Sequence, residues 1–329
     1  KKYSGMRVNY MFTVYNEPEL LARTVSKLQH PQAYFYIHVD GKKDIEPFLK
    51  SLKRLPHVFF LTGDARINVE WGDISMVQAE LNLMRAVVAD TKEGYCVLIS
   101  GQDYPIKSTA YIHDYFAARY PAEFIHAEPL EETEPVIRRI MDRHARWHWI
   151  TVAGKFKIVV FPWRFVACSG WRFFDMRCLK KLCSWKMIAN CCNLFFTRRK
   201  FPADLHLYAS ETWFEITTRT AERVLRKIEE HPEYMAYYRT FGLPEESMLQ
   251  SIILSDAEGK RDWAGDFLLY VNRNRSDENG MPVPCDIDLT AADISDVEDK
   301  IKNAPDKLFA RKVSLNEVAL LERIDSLTN

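Results

Sequence analysis

Short apolar runs and longer amphipathic stretches alternate through the first third of the chain. Arg7 to Val14, Tyr34 to Val39 and Val58 to Leu61 are β-rich runs of strand length. Tyr95 to Ile99 is apolar at every position, the pattern of a strand covered on both faces. Between these runs, Asn16-Glu17-Pro18 opens a helix that continues to Leu28, since proline is tolerated in a first helical turn. A second helix is expected from Ile45 to Leu52. A long amphipathic one should run from Ile74 to Val88, after the loop Val69-Glu70-Trp71-Gly72. This strand–helix–strand rhythm predicts an α/β fold with a mostly parallel sheet and right-handed crossovers.

Further along, the pattern predicts a helix near Tyr111 to Arg119 and a strand at Glu123 to His126. Glu128 to Arg146 is dominated by charge. A strand at Trp213 to Thr217 precedes a helix from Arg219 to Glu230, and Gly242 to Ser247 introduces a helix carrying Met248, Leu249, Ile252 and Ile253. Phe267 to Val271 reads as a strand, Asn272 to Pro284 as a polar loop, and Asp293 to Asn303 and Leu315 to Leu327 as helices. No repeat or long linker interrupts the chain, so residues 1–329 are expected to form a single domain.

Composition sharpens this picture in two places. Formal net charge is zero and 47% of residues are hydrophobic, so a large core is available and nothing pulls the whole chain toward nucleic acid. Charge is instead local. Residues 155–200 carry eleven Lys or Arg against the single acid Asp175, interleaved with Phe156, Trp163, Phe165, Trp171, Trp185 and Phe196. Such a mixture suits peripheral contact with a membrane surface or an anionic acceptor, and equally a core helix with solvated charges. Five of the seven cysteines fall between Cys168 and Cys192 without a zinc-like spacing, which points to a reduced intracellular protein. No stretch approaches the ~20 apolar residues of a membrane span. The start does not resemble a signal peptide, and Met6 reads as the natural start.

Candidate chemistry gathers after the Tyr95 run. Ser100-Gly101 allows a tight turn, Asp103 follows, and Tyr104 is held extended by Pro105. Ligands of open α/β sheets sit beyond the carboxyl ends of such strands. Transfer of a sugar from a nucleotide donor needs a carboxylate to take the acceptor proton and positive charge to stabilise the departing diphosphate. Many such enzymes hold a metal with Asp-x-Asp. Here the Tyr95 loop offers only Asp103 and the second strand only Asp40, while Asp286-Ile287-Asp288 lies outside this context. A metal-free site using basic side chains fits better.

Leu98-Ile-Ser-Gly-Gln-Asp-Tyr-Pro-Ile-Lys-Ser108 resembles the motif of glycosyltransferase family 14, which contains core-2/I-branching β-1,6-N-acetylglucosaminyltransferases and peptide O-xylosyltransferases. Tyr36-Ile-His-Val-Asp40, Trp71-Gly72, Trp213-Phe214, Pro244-Glu-Glu-Ser247 and Phe309-Ala-Arg-Lys312 follow in family order, so the resemblance runs from about Val8 to the end. It implies a GT-A fold with a mixed, mostly parallel central sheet flanked by helices. Residues 6–130 would form the nucleotide-binding half and 131–329 the acceptor-binding and catalytic half. It also implies inverting transfer, with Glu246 as base and Arg311 and Lys312 clamping the diphosphate in place of a metal. Val14 and Asp40 would lie against the uridine, Asp103 near the donor sugar or ribose, and Trp213 along the acceptor side. Glu134, Arg139 and Arg143 echo the acidic-then-basic acceptor region of the branching enzymes.

Each of these residues has an ordinary structural reading. Glu246 sits early in a helix, where acids favour the dipole, with Glu245 beside it. Arg311-Lys312 suits a charged loop, Trp213 a core, and Asp40 a turn. Together, the expectation is a metal-independent enzyme with no required cofactor, moving N-acetylglucosamine or xylose from a UDP-sugar to a glycan or lipid-linked glycan. It would be cytoplasmic, with peripheral contact on the inner membrane face through residues 155–200, and would not bind nucleic acid. The animal enzymes' membrane anchor and disulfides are not expected here. Ala209-Ser210-Glu211-Thr212 departs from the family's approach to Trp-Phe, which leaves sugar preference open. The alternatives are a metal-dependent transferase and a non-catalytic carbohydrate- or nucleotide-binding scaffold at the membrane surface.

Overall fold

A computed structural model describes residues 5–169, 176–265, 268–272 and 288–328. The first parallel strands are β1 (Val8–Val14), β2 (Ala33–Val39), β3 (Val58–Phe60) and β4 (Tyr95–Ser100). Two short or edge strands follow, β5 (Asp103–Pro105) and β6 (Phe124–Pro129). Next come β7 (His148–Ala153), β8 (Phe156–Phe161) and β9 (Phe165–Ser169). The last are β10 (Tyr208–Thr217), β11 (Leu269–Val271) and β12 (Phe309–Arg311).

The central six-stranded sheet has the order β3-β2-β1-β4-β10-β6. β1 pairs in parallel with β2 and β4, and β2 with β3. β10 runs antiparallel between β4 and β6, so the sheet is mixed but mostly parallel, as the resemblance implies. Successive residues of the central strands enter different cores. Met11 and Leu98 pack with the helices Ile74–Asp90 and Thr218–Glu230, whereas Phe12 and Ile99 pack on the opposite face. Burial on both faces is why these strands read as unbroken apolar runs.

A second sheet, β11-β12-β5, lies beyond the end of β4. Its register sets Arg311 opposite Asp103 and brings the C-terminal segment onto the loop after β4. The expected strand at Trp213 begins earlier, at Tyr208, with an irregularity between Ser210 and Phe214. The helix expected directly after Gly242 is divided. Pro244–Glu246 is a single 3-10 turn, and an α-helix follows over Met248–Leu254. The polar loop assigned to Asn272 to Pro284 falls, after Asn272, outside the described residues, as do Asp286, Ile287 and the start of the Phe267 strand.

Residues 155–200 depart most from a core helix with solvated charges. β7, β8 and β9 form their own antiparallel sheet, backed by the helices Met176–Leu182 and Trp185–Phe195. Val152, Phe156, Ile158, Val160 and Cys178 make a small separate core. The charged stretch before it contains the helix Pro135–Arg146.

Candidate active site

The strand ends expected to face a donor are held at close quarters. Val14 closes β1, and a side chain at Gly101 would come within 3.0 Å of its Cγ1, so glycine lets the β4 turn pass. Asp40 follows β2. Its Oδ1 accepts from the backbone N–H of Lys42 at 3.0 Å and of Val69 at 3.2 Å. Arg66 donates back to the Val39 and Asp40 carbonyls at 3.0 and 3.1 Å. Asp40 thereby fixes the loop over the end of β2, consistent with its turn reading.

Asp103 is fully buried. Oδ2 accepts from the Ser100 backbone N–H at 2.5 Å, and Oδ1 accepts from Arg311 Nη1 at 2.8 Å. That guanidinium also donates to Ser100 Oγ at 2.7 Å, and its carbon lies 4.3 Å from the centre of the Trp213 ring. Both oxygens of Asp103 are therefore occupied, and it aims Arg311. Trp213 backs the same cation. Lys312 is half-buried next to it, joined through a cis peptide, and its carbonyl accepts from Leu289 N–H at 2.7 Å.

Glu246 stands on the turn entered through Leu243, whose φ is 55°. Three polar side chains tie this turn to β10. Ser247 Oγ donates to the Tyr208 carbonyl at 2.9 Å, and Ser210 Oγ to the Glu246 carbonyl at 2.9 Å. Gln250 Nε2 donates to the Glu211 carbonyl at 2.9 Å and the Glu245 carbonyl at 3.3 Å. The two glutamates differ in access. Glu245 is 2% exposed and turned inward, with Oε2 lacking a partner among the described residues, as is Oε2 of Glu80. Glu246 is partly open. Burial, reinforced by the negative charge of Glu245 and Glu211, pushes Glu246 up to about 8. Burial carries Glu245 to about 7 despite nearby Lys157, and raises Glu80 well above the carboxylate range.

Lys157, from β8, donates to the Trp71 and Gly72 carbonyls at 3.1 and 2.8 Å. A side chain at Gly72, where φ is 62°, would fall 2.7 Å from Leu243. The Trp71-Gly72 turn is thus wedged between β8 and the start of the Glu246 turn. Glu134, Arg139 and Arg143 lie on or before the exposed helix Pro135–Arg146. Arg139 lines a cleft with Glu131, Arg138, Asp142 and Arg146. Among the described residues, no hydrogen bond or ion pair joins these three to Glu246 or Arg311. No group of three His, Cys, Asp or Glu side chains among the described residues is arranged to hold a metal.

Sequence reasoning passed over Glu80 and read Ser100 only as part of a tight turn. Glu80 had a signal, since it falls three residues after Val77 and four before Met84 in the buried stripe of its helix. Ser100 had only its place at the strand end.

A family model described as Branch, Core-2/I-branching enzyme, matches residues 8–290. The beta-1,3-galactosyl-O-glycosyl-glycoprotein beta-1,6-N-acetylglucosaminyltransferase of Bos taurus is 29% identical over 112 residues, covering 33% of this chain and 26% of that protein. The Homo sapiens protein of the same name is 27% identical over 111 residues, with the same two shares. A xylosyltransferase of Ciona intestinalis is 23% identical over 142 residues, 42% of this chain and 16% of its own length. The match thus spans 26% of the first two relatives.

Proposed function

We propose, from the fact that the chain belongs to the Core-2/I-branching enzyme family (glycosyltransferase family 14), that it is an inverting, metal-independent glycosyltransferase. The donor is a UDP-sugar carrying N-acetylglucosamine or xylose, in keeping with the relatives' names. The acceptor is a hydroxyl of a glycan or lipid-linked glycan.

In the reaction, the acceptor oxygen attacks the anomeric carbon from the face opposite the diphosphate. Its proton passes to the Glu246 carboxylate as the bond from that carbon to the UDP oxygen breaks. The products are the extended acceptor, UDP and protonated Glu246, which then returns its proton to solvent. Arg311 and Lys312 take up the charge that develops on the diphosphate, and Val14 and Asp40 flank the uridine.

One observation carries this reading. A single strand, β10, supports both parts of the chemistry: Trp213 backs the Arg311 guanidinium, and Ser210, three residues earlier, holds the turn of Glu246. That the residues proposed as base and clamp both contact one strand supports the reading, since transfer needs the two held in a common frame.

The test pairs one substitution with chelation. Glu246→Gln should leave the thermal shift on UDP binding intact while transfer falls by about 10²–10⁴. Unchanged turnover in that variant would remove Glu246 from the role. Transfer should continue in EDTA, and loss restored by Mn²⁺ would replace the proposed clamp with a metal.

A further inference from the structure

We infer that the sheet β7-β8-β9 with its two backing helices is a docking module for an anionic lipid bilayer, and that it receives an acyl chain in an apolar pocket. The pocket has a volume of about 480 Å³ and lies between the sheet and the helix Trp185–Phe195, with Ile158, Val166, Leu182, Ile188, Cys191 and Phe196 in its wall. Such a volume and apolar lining are those of a small-ligand site, but the wall offers almost nothing for a polar ligand to bond.

The rim carries large rings held outward by ordered contacts. Trp163 sits at the β8–β9 turn with a φ of 62°, its N–H bonded to the Phe195 carbonyl at 3.0 Å and its ring 5.1 Å from that of Phe196. It is 55% exposed, and Trp185, which opens the following helix, is 82% exposed. Phe165 on the edge strand β9 is also 55% exposed, but it alternates with pocket-lining Val166 and so stands on the other face of the sheet, its ring 4.1 Å from that of Phe161. A monomer in water gains nothing from presenting these rings, whereas at the headgroup level their amphipathic faces are matched.

Charge decides the occupant. Arg164, Lys180, Lys181, Lys186, Arg198 and Lys200 are all exposed around the pocket and rings. Among the described residues from Lys155 to Lys200 there is no carboxylate at all. A second copy of the chain seated here would set this basic face against itself, with like charges opposed. An anionic leaflet satisfies both halves of the surface, with phosphates for the cations and hydrocarbon for the pocket. No helix among the described residues is long and apolar enough to cross a membrane, so contact is made from the surface.

The inner side of the module is fastened beside the Glu246 turn. His148 bonds Thr240 Oγ1 and the Thr197 carbonyl at 2.8 Å each, and Trp149 N–H donates to the Thr240 carbonyl at 2.9 Å. Thr240 is three residues before Leu243, which enters that turn. A lipid-held molecule would thus be presented next to the site. The inference itself does not rest on transfer chemistry, because binding to a vesicle requires neither donor nor acceptor.

The experiment is co-sedimentation of the full chain with vesicles of phosphatidylcholine, alone and mixed with phosphatidylglycerol. The chain should pellet with the mixed vesicles and stay in solution with phosphatidylcholine alone. Tryptophan emission should shift to the blue on binding. Trp185→Ser, at a site too exposed to affect folding, should lower partitioning about tenfold with an unchanged melting temperature. Lys180→Glu and Lys186→Glu should each lower it about fivefold or more. Equal binding to both vesicle types, or partitioning of Trp185→Ser equal to wild type, would overturn the inference. So would tighter binding to single-stranded DNA than to mixed vesicles, since that would assign the cations to nucleic acid.

Discussion

Two buried carboxylates of this protein, Asp103 and Glu245, are equally hidden from water and oppositely provided for. Asp103 has a backbone N–H on one oxygen and a guanidinium on the other. Glu245 has an oxygen without a partner among the described residues, and Glu80 nearby. The first arrangement secures a charge and makes Asp103 a fixed anchor for Arg311. The second disfavours charge on Glu245, and where that charge is present it adds to the burial that raises the proton affinity of the neighbouring Glu246. Burial alone therefore does not say what an acid does. Its hydrogen-bond partners decide whether it positions a cation or helps set a base.

The comparison can be broken most severely at Arg311. Arg311→Met should leave Asp103 charged, buried and unpaired, a loss of about 3–5 kcal/mol in urea unfolding. A loss below ~1 kcal/mol, the range of an exposed ion pair, would mean that solvent already reaches the pair.

The pH dependence sharpens the other side. Glu246 must be deprotonated to act as base, so kcat/KM should rise as pH increases through about 8. Glu245→Gln removes a like charge and should move that midpoint to lower pH, while the same change at Asp103 should not. The raised carboxylates also imply a slope in stability. Between the ordinary glutamate pKa and the raised folded value, the native state binds more protons than the unfolded chain. Their contribution to stability is thus present at low pH and lost as pH rises toward and through the folded values. Glu80→Gln should flatten this fall, with a melting temperature above wild type at alkaline pH and close to it in acid.

The smallest expected effect is at Ser210. Ser210→Ala loses the hydroxyl bonds to the Glu246 and Glu211 carbonyls. About 0.5–1.5 kcal/mol of stability should go with them, and transfer should fall more than UDP binding because only the base's turn is loosened. An equal fall in both would place Ser210 on the donor side instead.

Much of the parallel half was legible because its strands are buried on both faces and its helices keep a 3.6-residue stripe. The motif from Asp103 to Lys107 was visible as a motif, but each residue's task was not. Tyr104 donates to Asp325 at 2.8 Å, and Lys107 donates to the Lys300 carbonyl at 2.9 Å, so both bind C-terminal helices that lie far along the chain. The β7-β8-β9 sheet was obscured because β8 is buried along its whole length, with Lys157 turned to the Trp71 and Gly72 carbonyls, so it lacks a clean apolar–polar alternation. Glu134, Arg139 and Arg143 were proposed from an echo of spacing, and the fold gives them a helix of their own without a bond to Glu246 or Arg311.

By itself, then, the chain's pattern determined the α/β class, the order of most elements and the family, since these depend on local periodicity and on short motifs in register. Tertiary structure alone decided that Asp103 serves Arg311, that Glu245 is hidden while Glu246 is partly open, and that β10 contacts both Arg311 and the Glu246 turn. Those outcomes rest on contacts between residues from 36 to more than 200 positions apart. Partners at such separations leave no periodic trace in the sequence, and only folding reveals which polar groups are satisfied and which are left short.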